Sequence, residues 1–269
     1  MFVITGATGN VGRVLVRALT EAGEKVVPVS RNGEVRADLS RPETLRPVVE
    51  GAEALFLLVS GAGAHLDPQA ILGVAKDGGI ERVVLLSSQA AGTRPESVSH
   101  APLRRLEDAV RGSGLGWTIL RPGGFASNAY AWVEPIRKSR TVAAPFGDVG
   151  LPVIDPADIA AVADLVLRTG GHGERVYELT GPELSTPRQR AGDIGVVLGE
   201  PVTFVEQTRD EAYAQMSAFM PPPVVEGTLD ILGTPTPAEQ LISPHVEQIL
   251  GRSPRTFAQW AAGNVRAYR

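Results

Sequence analysis

The first half of the chain alternates short, unbroken apolar runs with stretches whose apolar residues recur at helical spacing. Phe2–Thr5, Lys25–Ser30, Ala54–Val59, Arg82–Ser87 and Trp117–Leu120 read as strands, with a very short one near Val35. They are unbroken runs because strands of a parallel sheet are covered on both faces. Val11–Ala22, Pro42–Val49, Pro68–Asp77 and Pro102–Arg111 read as helices, with Gly23 and Gly112 at helix ends that favour residues tolerant of positive φ. This alternation predicts an α/β fold built on a doubly wound parallel sheet.

After Arg121 proline and glycine become denser, and short strands such as Val176–Gly181 and Pro201–Gln207 alternate with irregular helices. Pro156–Leu167 is one clear amphipathic helix, with Ile159, Val162, Ala163 and Val166 on one face. No repeat or low-complexity linker divides the chain. The expected organisation is a nucleotide-binding core over residues 1–121 and a smaller α+β lobe over 122–269, some of whose segments complete the core. Such a lobe is expected to form one wall of a cleft.

Composition narrows the function. An apolar fraction of 43% over 269 residues supplies a buried core and excludes a disordered chain. No stretch approaches the roughly 18 apolar residues that span a bilayer, and "MFVI" runs into a glycine turn without a basic leader region or cleavage site. The expected location is the cytoplasm, with no membrane partner. There is no cysteine, so disulfides, thiolate nucleophiles and cysteine-held metals are excluded and redox work must come from a bound cofactor. A net charge of −4 without any Lys/Arg block argues against nucleic acid and for a small-molecule partner. No His/Asp/Glu spacing points to a metal, and Ser88 lacks the base and orienting acid of a hydrolase triad. The oligomeric state is not legible.

The candidate chemistry begins at "TGATGNVG", Thr5 to Gly12. In a strand–turn–helix, the first glycine permits a tight bend, the second admits a pyrophosphate, and the third lets the helix lie close to the sheet. Gly6, Gly9 and Gly12 fit these tasks, with Thr8, Asn10 and Val11 completing the turn and the following helix offering its N-terminus to phosphates. The second strand ends in Ser30 and Arg31, where a site for NAD carries an acidic residue. Arg31 suits a 2′-phosphate instead, so NADP(H) is the expected cofactor and NAD(H) the alternative. A solvated arginine at a strand end is the plainer reading. Asp38 fits either the adenine amino group or a cap on the helix entered at Pro42. Val59 and Ser60, at the end of the fourth strand, and Ser87, at the end of the fifth, extend the expected cofactor wall.

Together "TGATGNVG", "SR", "ADLSRPETL", "VVLLSS", "GLGWTILRPGGFASN", "YELTGPELSTPRQRA" and "GRSPRTFAQW" resemble the atypical short-chain dehydrogenase/reductases, specifically the NmrA-like NAD(P)-binding proteins. The resemblance implies a doubly wound parallel Rossmann sheet with a smaller C-terminal α+β substrate lobe. It also implies that Pro122, Gly123 and Phe125 wrap a nicotinamide. Relatives of this kind include quinone and azo reductases, antibiotic-pathway tailoring proteins and catalytically silent redox sensors, and fold does not choose among them.

Short-chain dehydrogenases typically use a Tyr-x-x-x-Lys pair to move a proton at a carbonyl. Here the tyrosines are Tyr130, Tyr177, Tyr213 and Tyr268 and the lysines Lys25, Lys76 and Lys138, so no such pair exists. Counting back from "GSGLGWTILRP", it would fall near Val98 and Pro102. The expectation is therefore hydride transfer from NAD(P)H to a quinone-like or other aromatic acceptor, whose developing charge is delocalised, including tailoring of aromatic natural products. The alternative is a silent NAD(P)-dependent regulator. His100 and Ser88 are the candidate catalytic residues, against an exposed loop histidine and a plain strand-end cap. Asn128, Tyr130, Trp132, Met216, Phe219 and Met220 are candidates for a flat ring pocket, because aromatic residues are only 5% of the chain. Packing of the lobe is the competing account for each.

Overall fold

The computed structural model describes residues 1–269 except Ser60 and Ala62. The chain begins with β1 (Phe2–Thr5), α1 (Gly12–Glu21), β2 (Val26–Ser30), β3 (Val35–Arg36), α2 (Arg46–Val49) and β4 (Ala54–Leu58). There follow α3 (Pro68–Asp77), β5 (Arg82–Leu86), α4 (Gln89–Thr93), α5 (Ala101–Gly112) and β6 (Gly116–Pro122). Next come α6 (Val133–Ser139), β7 (Thr141–Pro145), α7 (Pro156–Arg168), β8 (Arg175–Leu179), α8 (Pro187–Leu198) and β9 (Thr203–Gln207). The last helices are α9 (Arg209–Ser217), α10 (Pro222–Gly233), α11 (Pro237–Gln240), α12 (His245–Leu250) and α13 (Phe257–Asn264).

Two units emerge. The first comprises Met1–Pro122, Pro156–Leu179 and Gln248–Gly251. Its sheet is parallel throughout, in the order β3-β2-β1-β4-β5-β6-β8. Alternate strand residues Val3, Leu55, Leu57, Val83, Leu85 and Ile119 share one buried cluster with Leu72, Leu106 and Val110 from α3 and α5. The intervening Ile4, Phe56, Val84 and Leu120 are buried as well, which is why these strands read as unbroken apolar runs. Pro28 is tolerated inside β2 because pairing with β3 begins only at Val29.

The expected helix Pro42–Val49 is broken. Pro42–Leu45 forms a 3-10 turn and α2 only a single α turn, because Pro47 has no N–H to carry a continuous helix through.

The second unit comprises Gly123–Asp155, Thr180–Glu247 and Arg252–Arg269. It holds a two-stranded parallel sheet of β7 and β9. Its helices are more regular than the sequence pattern predicts: α8, α9, α11 and α13 each start at a threonine whose hydroxyl and a Gln or Glu three residues on cap one another. Ile136, Val142, Ile194, Phe257, Trp260 and the fully buried Tyr268 make one core cluster; Ala212, Val225 and Leu229 make another. Among the described residues no helix is long and apolar enough to cross a membrane.

Candidate active site

The strand order reverses direction at β1, whose neighbours are β2 and β4, and such a switch point opens a crevice at the carboxyl ends of the strands. A cleft of ≈ 260 Å³ lies there, lined among others by Gly6, Thr8, Gly9, Arg31, Asp38 and Val59. Each glycine of the turn has a distinct reason. Gly6 sits at φ +66°, and a Cβ there would stand 2.7 Å from Leu58 Cδ2. A Cβ on Gly12 would overlap the Gly6 carbonyl oxygen, so this third glycine lets α1 lie against the turn. A Cβ on Gly9 would meet only that same oxygen, at 3.3 Å, and otherwise open space. Val11 is buried and stands at the N-cap of α1 without a side-chain cap bond, so it can serve a ligand only through its backbone.

At the end of the neighbouring β2, Ser30 also lines the cleft; it is 8% exposed, and its hydroxyl has no hydrogen-bond partner among the described residues. Gly33 keeps that hydroxyl uncrowded, since a Cβ there would come within 2.5 Å of it. An orphaned hydroxyl beside an exposed arginine, with no carboxylate hydrogen-bonded to either among the described residues, fits the 2′-phosphate of NADP(H). Asp38 does not cap the Pro42 turn. Its Oδ1 accepts from the Ser40 amide (2.9 Å) and hydroxyl (2.8 Å), and these bonds hold its carboxyl below the ordinary aspartate range. It keeps its place on the cleft wall. His65, Leu66, Leu39 and Asn32 also line the cleft, though nothing in the sequence pattern singled them out. Ser60 lies outside the described residues.

Farther along the same edge, the alternation that buries Leu85 and Ile119 against α5 continues into polar residues. Ser87 and Arg121 occupy the next inward positions, and Glu107 of α5 meets them. Glu107 is 1% exposed and accepts from Ser87 Oγ (2.6 Å), Arg121 Nε (2.9 Å) and Nη2 (2.7 Å), and Arg111 Nη2 (2.9 Å). Burial pushes this carboxyl up, but the bonds from Arg121 and Ser87 outweigh it and hold the group below the ordinary glutamate range. Arg121 Nη1 also reaches Glu178 on β8 at 3.4 Å. For Glu178 burial dominates over the pull of Arg121 and raises the carboxyl from 4.5 to about 7.

Between about pH 4.5 and 7 the native protein therefore holds a proton on Glu178 that the unfolded chain releases. That contribution is complete below about pH 4.5 and is lost as pH rises through about 7. Glu178→Gln is expected to melt higher than the parent protein at about pH 8 and to lose that advantage near pH 5. A melting-temperature difference independent of pH would contradict it.

The other expected site residues are placed as follows. Ser88 caps α4, its Oγ accepting from the Ala90 amide at 3.3 Å. His100 stands at the start of α5, its Nδ1 within reach of Ser97 Oγ (3.3 Å) and Ser99 Oγ (3.0 Å). Pro122 ends β6; Gly123 and Phe125 follow it in the chain, and Phe125 bridges to Ile154. Asn128 is exposed.

The six ring-pocket residues do not share one cluster. Tyr130 and Trp132 pack with Trp260 and Phe257, and the Tyr130 hydroxyl donates to Asn264 Oδ1 at 2.5 Å. Met216 and Met220 pack with Val225 and Leu229 instead, and Phe219 is 68% exposed. The two segments thus contribute to different clusters.

Residues 6–168 match the NAD(P)H-binding family. A "(4-alkanoyl-5-oxo-2,5-dihydrofuran-3-yl)methyl phosphate reductase" of Streptomyces griseus is 33% identical over 100% of this chain and 99% of its own length. An NAD(P)H azoreductase of Xenophilus azovorans is 28% identical over 100% and 99%. In fold, the chain is similar to an NADPH-dependent quinone oxidoreductase of Escherichia coli solved with NADPH, at a TM-score of 0.83, 23% identity and coverage of 98% and 99%. With its glycine turn, switch-point cleft and full-length likeness to curated reductases, the chain belongs to the NAD(P)H-binding family.

Proposed function

We propose that this NAD(P)H-binding oxidoreductase uses NADPH to reduce an electron-poor conjugated acceptor, of the quinone, azo or unsaturated-lactone kind, and that it does not oxidise alcohols. The observation that carries the reading is the missing Tyr-x-x-x-Lys pair: the positions that would hold it are Val98, 76% exposed, and Pro102 in the first turn of α5. Neither can donate a proton. Bound NADPH supplies the hydride. The protein's part is to bind and orient: Gly6, Gly9 and the start of α1 take the pyrophosphate, and Ser30 with Arg31 takes the 2′-phosphate. A conjugated acceptor spreads the incoming charge, so positioning carries most of the rate. Ser88 or His100 then provides a hydrogen bond or proton to the reduced product. Acceptor selectivity is assigned to residues 122–269, with Asn128, Tyr130, Trp132, Met216, Phe219 and Met220 as its candidates.

The names of the relatives support this reading, since quinones, azo groups and the ring of a 5-oxo-2,5-dihydrofuran all take up hydride into a conjugated system. The test is NADPH oxidation against a panel of quinones, azo dyes and unsaturated lactones, with NADP⁺ and simple secondary alcohols as the reverse arm. Turnover in the first arm and none in the second is expected. Robust alcohol oxidation overturns the mechanism. Tight NADPH binding without any acceptor, accompanied by changed affinity for a protein partner, replaces it with the regulator.

A further inference from the structure

We propose that Glu107, a buried carboxylate that the reading above does not use, is a positioning residue: it takes the proton of Ser87 and anchors Arg121 beneath α4, so that Ser88 alone presents a donating hydroxyl at the carboxyl edge of β5. The inference rests on the proposed reductase reading for its kinetic arm only.

The hydrogen-bond inventory separates the two adjacent serines. A serine hydroxyl has one proton to give and two lone pairs. Ser87 gives its proton to Glu107 Oε1 at 2.6 Å, a short bond to an ionised acceptor, and is left as an acceptor only. Ser88 is the reverse: Oγ accepts from the Ala90 amide, and its proton has no acceptor among the described residues. A group that stabilises a reduced, oxygen-bearing product must donate, and of the pair only Ser88 does.

The same carboxylate fixes where Ser88 points. Glu107 grips Arg121 through two parallel bonds, 2.9 Å to Nε and 2.7 Å to Nη2, which fixes the plane of the guanidinium. α4 rests on that plane at Gly92, where a Cβ would collide with Arg121 Nη1. Ser88 is the N-cap of that helix. The chain from Ser87 to Thr93 is thus tied at both ends to one buried group on α5, besides the burial of Gln89, Ala90 and Ala91.

The experiment compares Glu107→Gln, Ser88→Ala and the double variant, each loaded with NADPH. Glu107→Gln is expected to lower kcat by about tenfold or more, as a small misplacement of a reacting group does, with the Kd for NADPH changed less than about twofold. Because Glu107 acts through Ser88, the double variant is expected to be no slower than Ser88→Ala. Amide hydrogen exchange gives a reading independent of turnover: exchange across residues 87–93 is expected to rise about tenfold in Glu107→Gln with and without NADPH, and to stay at the parent rate in Arg111→Ala. Should Glu107→Gln fold poorly, Gly92→Ala probes the same contact from the helix side and is expected to give the same signature. A Glu107→Gln or Gly92→Ala protein that loses thermal stability alone, with exchange across 87–93 and kcat at parent values, overturns the proposal. A parent protein that reduces no acceptor sinks the reductase reading, and the exchange arm then decides the positioning role by itself.

Discussion

Gly9→Val is expected to abolish NADPH binding while the protein stays folded. Gly9 is exposed, its φ lies outside the left-handed region, and a Cβ there would meet only the Gly6 carbonyl oxygen at 3.3 Å. The fold therefore has room for a side chain. The cofactor does not, because the valine methyls would occupy the space through which a pyrophosphate approaches the turn. Loss of several charge-assisted bonds at once corresponds to a decrease of more than roughly 100-fold in affinity. Fluorescence titration with NADPH, beside a circular-dichroism melt, checks both halves. A folded variant with parent affinity would remove the glycine turn from the binding site. Gly12 behaves differently: its Cβ would strike the Gly6 carbonyl oxygen, so even alanine at this position is a folding lesion.

The second large effect concerns cofactor choice. Arg31→Ala is expected to weaken NADPH by about 10- to 150-fold, the roughly 1.5–3 kcal/mol of a hydrogen bond to a charged group, and to change NADH by less than about twofold. Arg31 lines the cleft beside Ser30, whose buried hydroxyl has no hydrogen-bond partner among the described residues, and β2 ends without the acidic residue expected of an NAD site. Titration calorimetry with both cofactors measures the difference. Equal losses for NADPH and NADH, or a parent protein that prefers NADH, would leave Arg31 as an ordinary solvated cation.

How much of this could be read without coordinates differs along the chain. The middle of the sheet was legible because β1, β4 and β5 are buried on both faces, which writes them as continuous apolar runs such as "VVLL". The observed β1 has the expected span, and β2, β4 and β5 differ from theirs by one residue at one end. In the second unit the periodic signal is weak, yet four Thr-x-x-Gln/Glu starts stood in the sequence. They mark helix beginnings by a local hydrogen-bond rule that apolar periodicity does not capture.

By itself, the sequence determined whatever depends on neighbours in the chain: the glycine turn between strand and helix, Arg31 in place of an acid, and the absence of a tyrosine–lysine pair. Tertiary structure alone decided what depends on distant residues meeting. Glu107, Arg121 and Glu178 lie 14 and 57 residues apart along the chain, and no spacing rule joins them. They meet because β5, β6 and β8 place Ser87, Arg121 and Glu178 at successive inward positions facing α5. Likewise, Tyr130 and Trp132 join one core cluster and Met216 and Met220 another, while Phe219 stays exposed, and no spacing in the sequence says whether two such distant segments meet. Local rules assign a residue its element and its capacity for chemistry; burial and strand register assign its partner, and with it the direction of its proton.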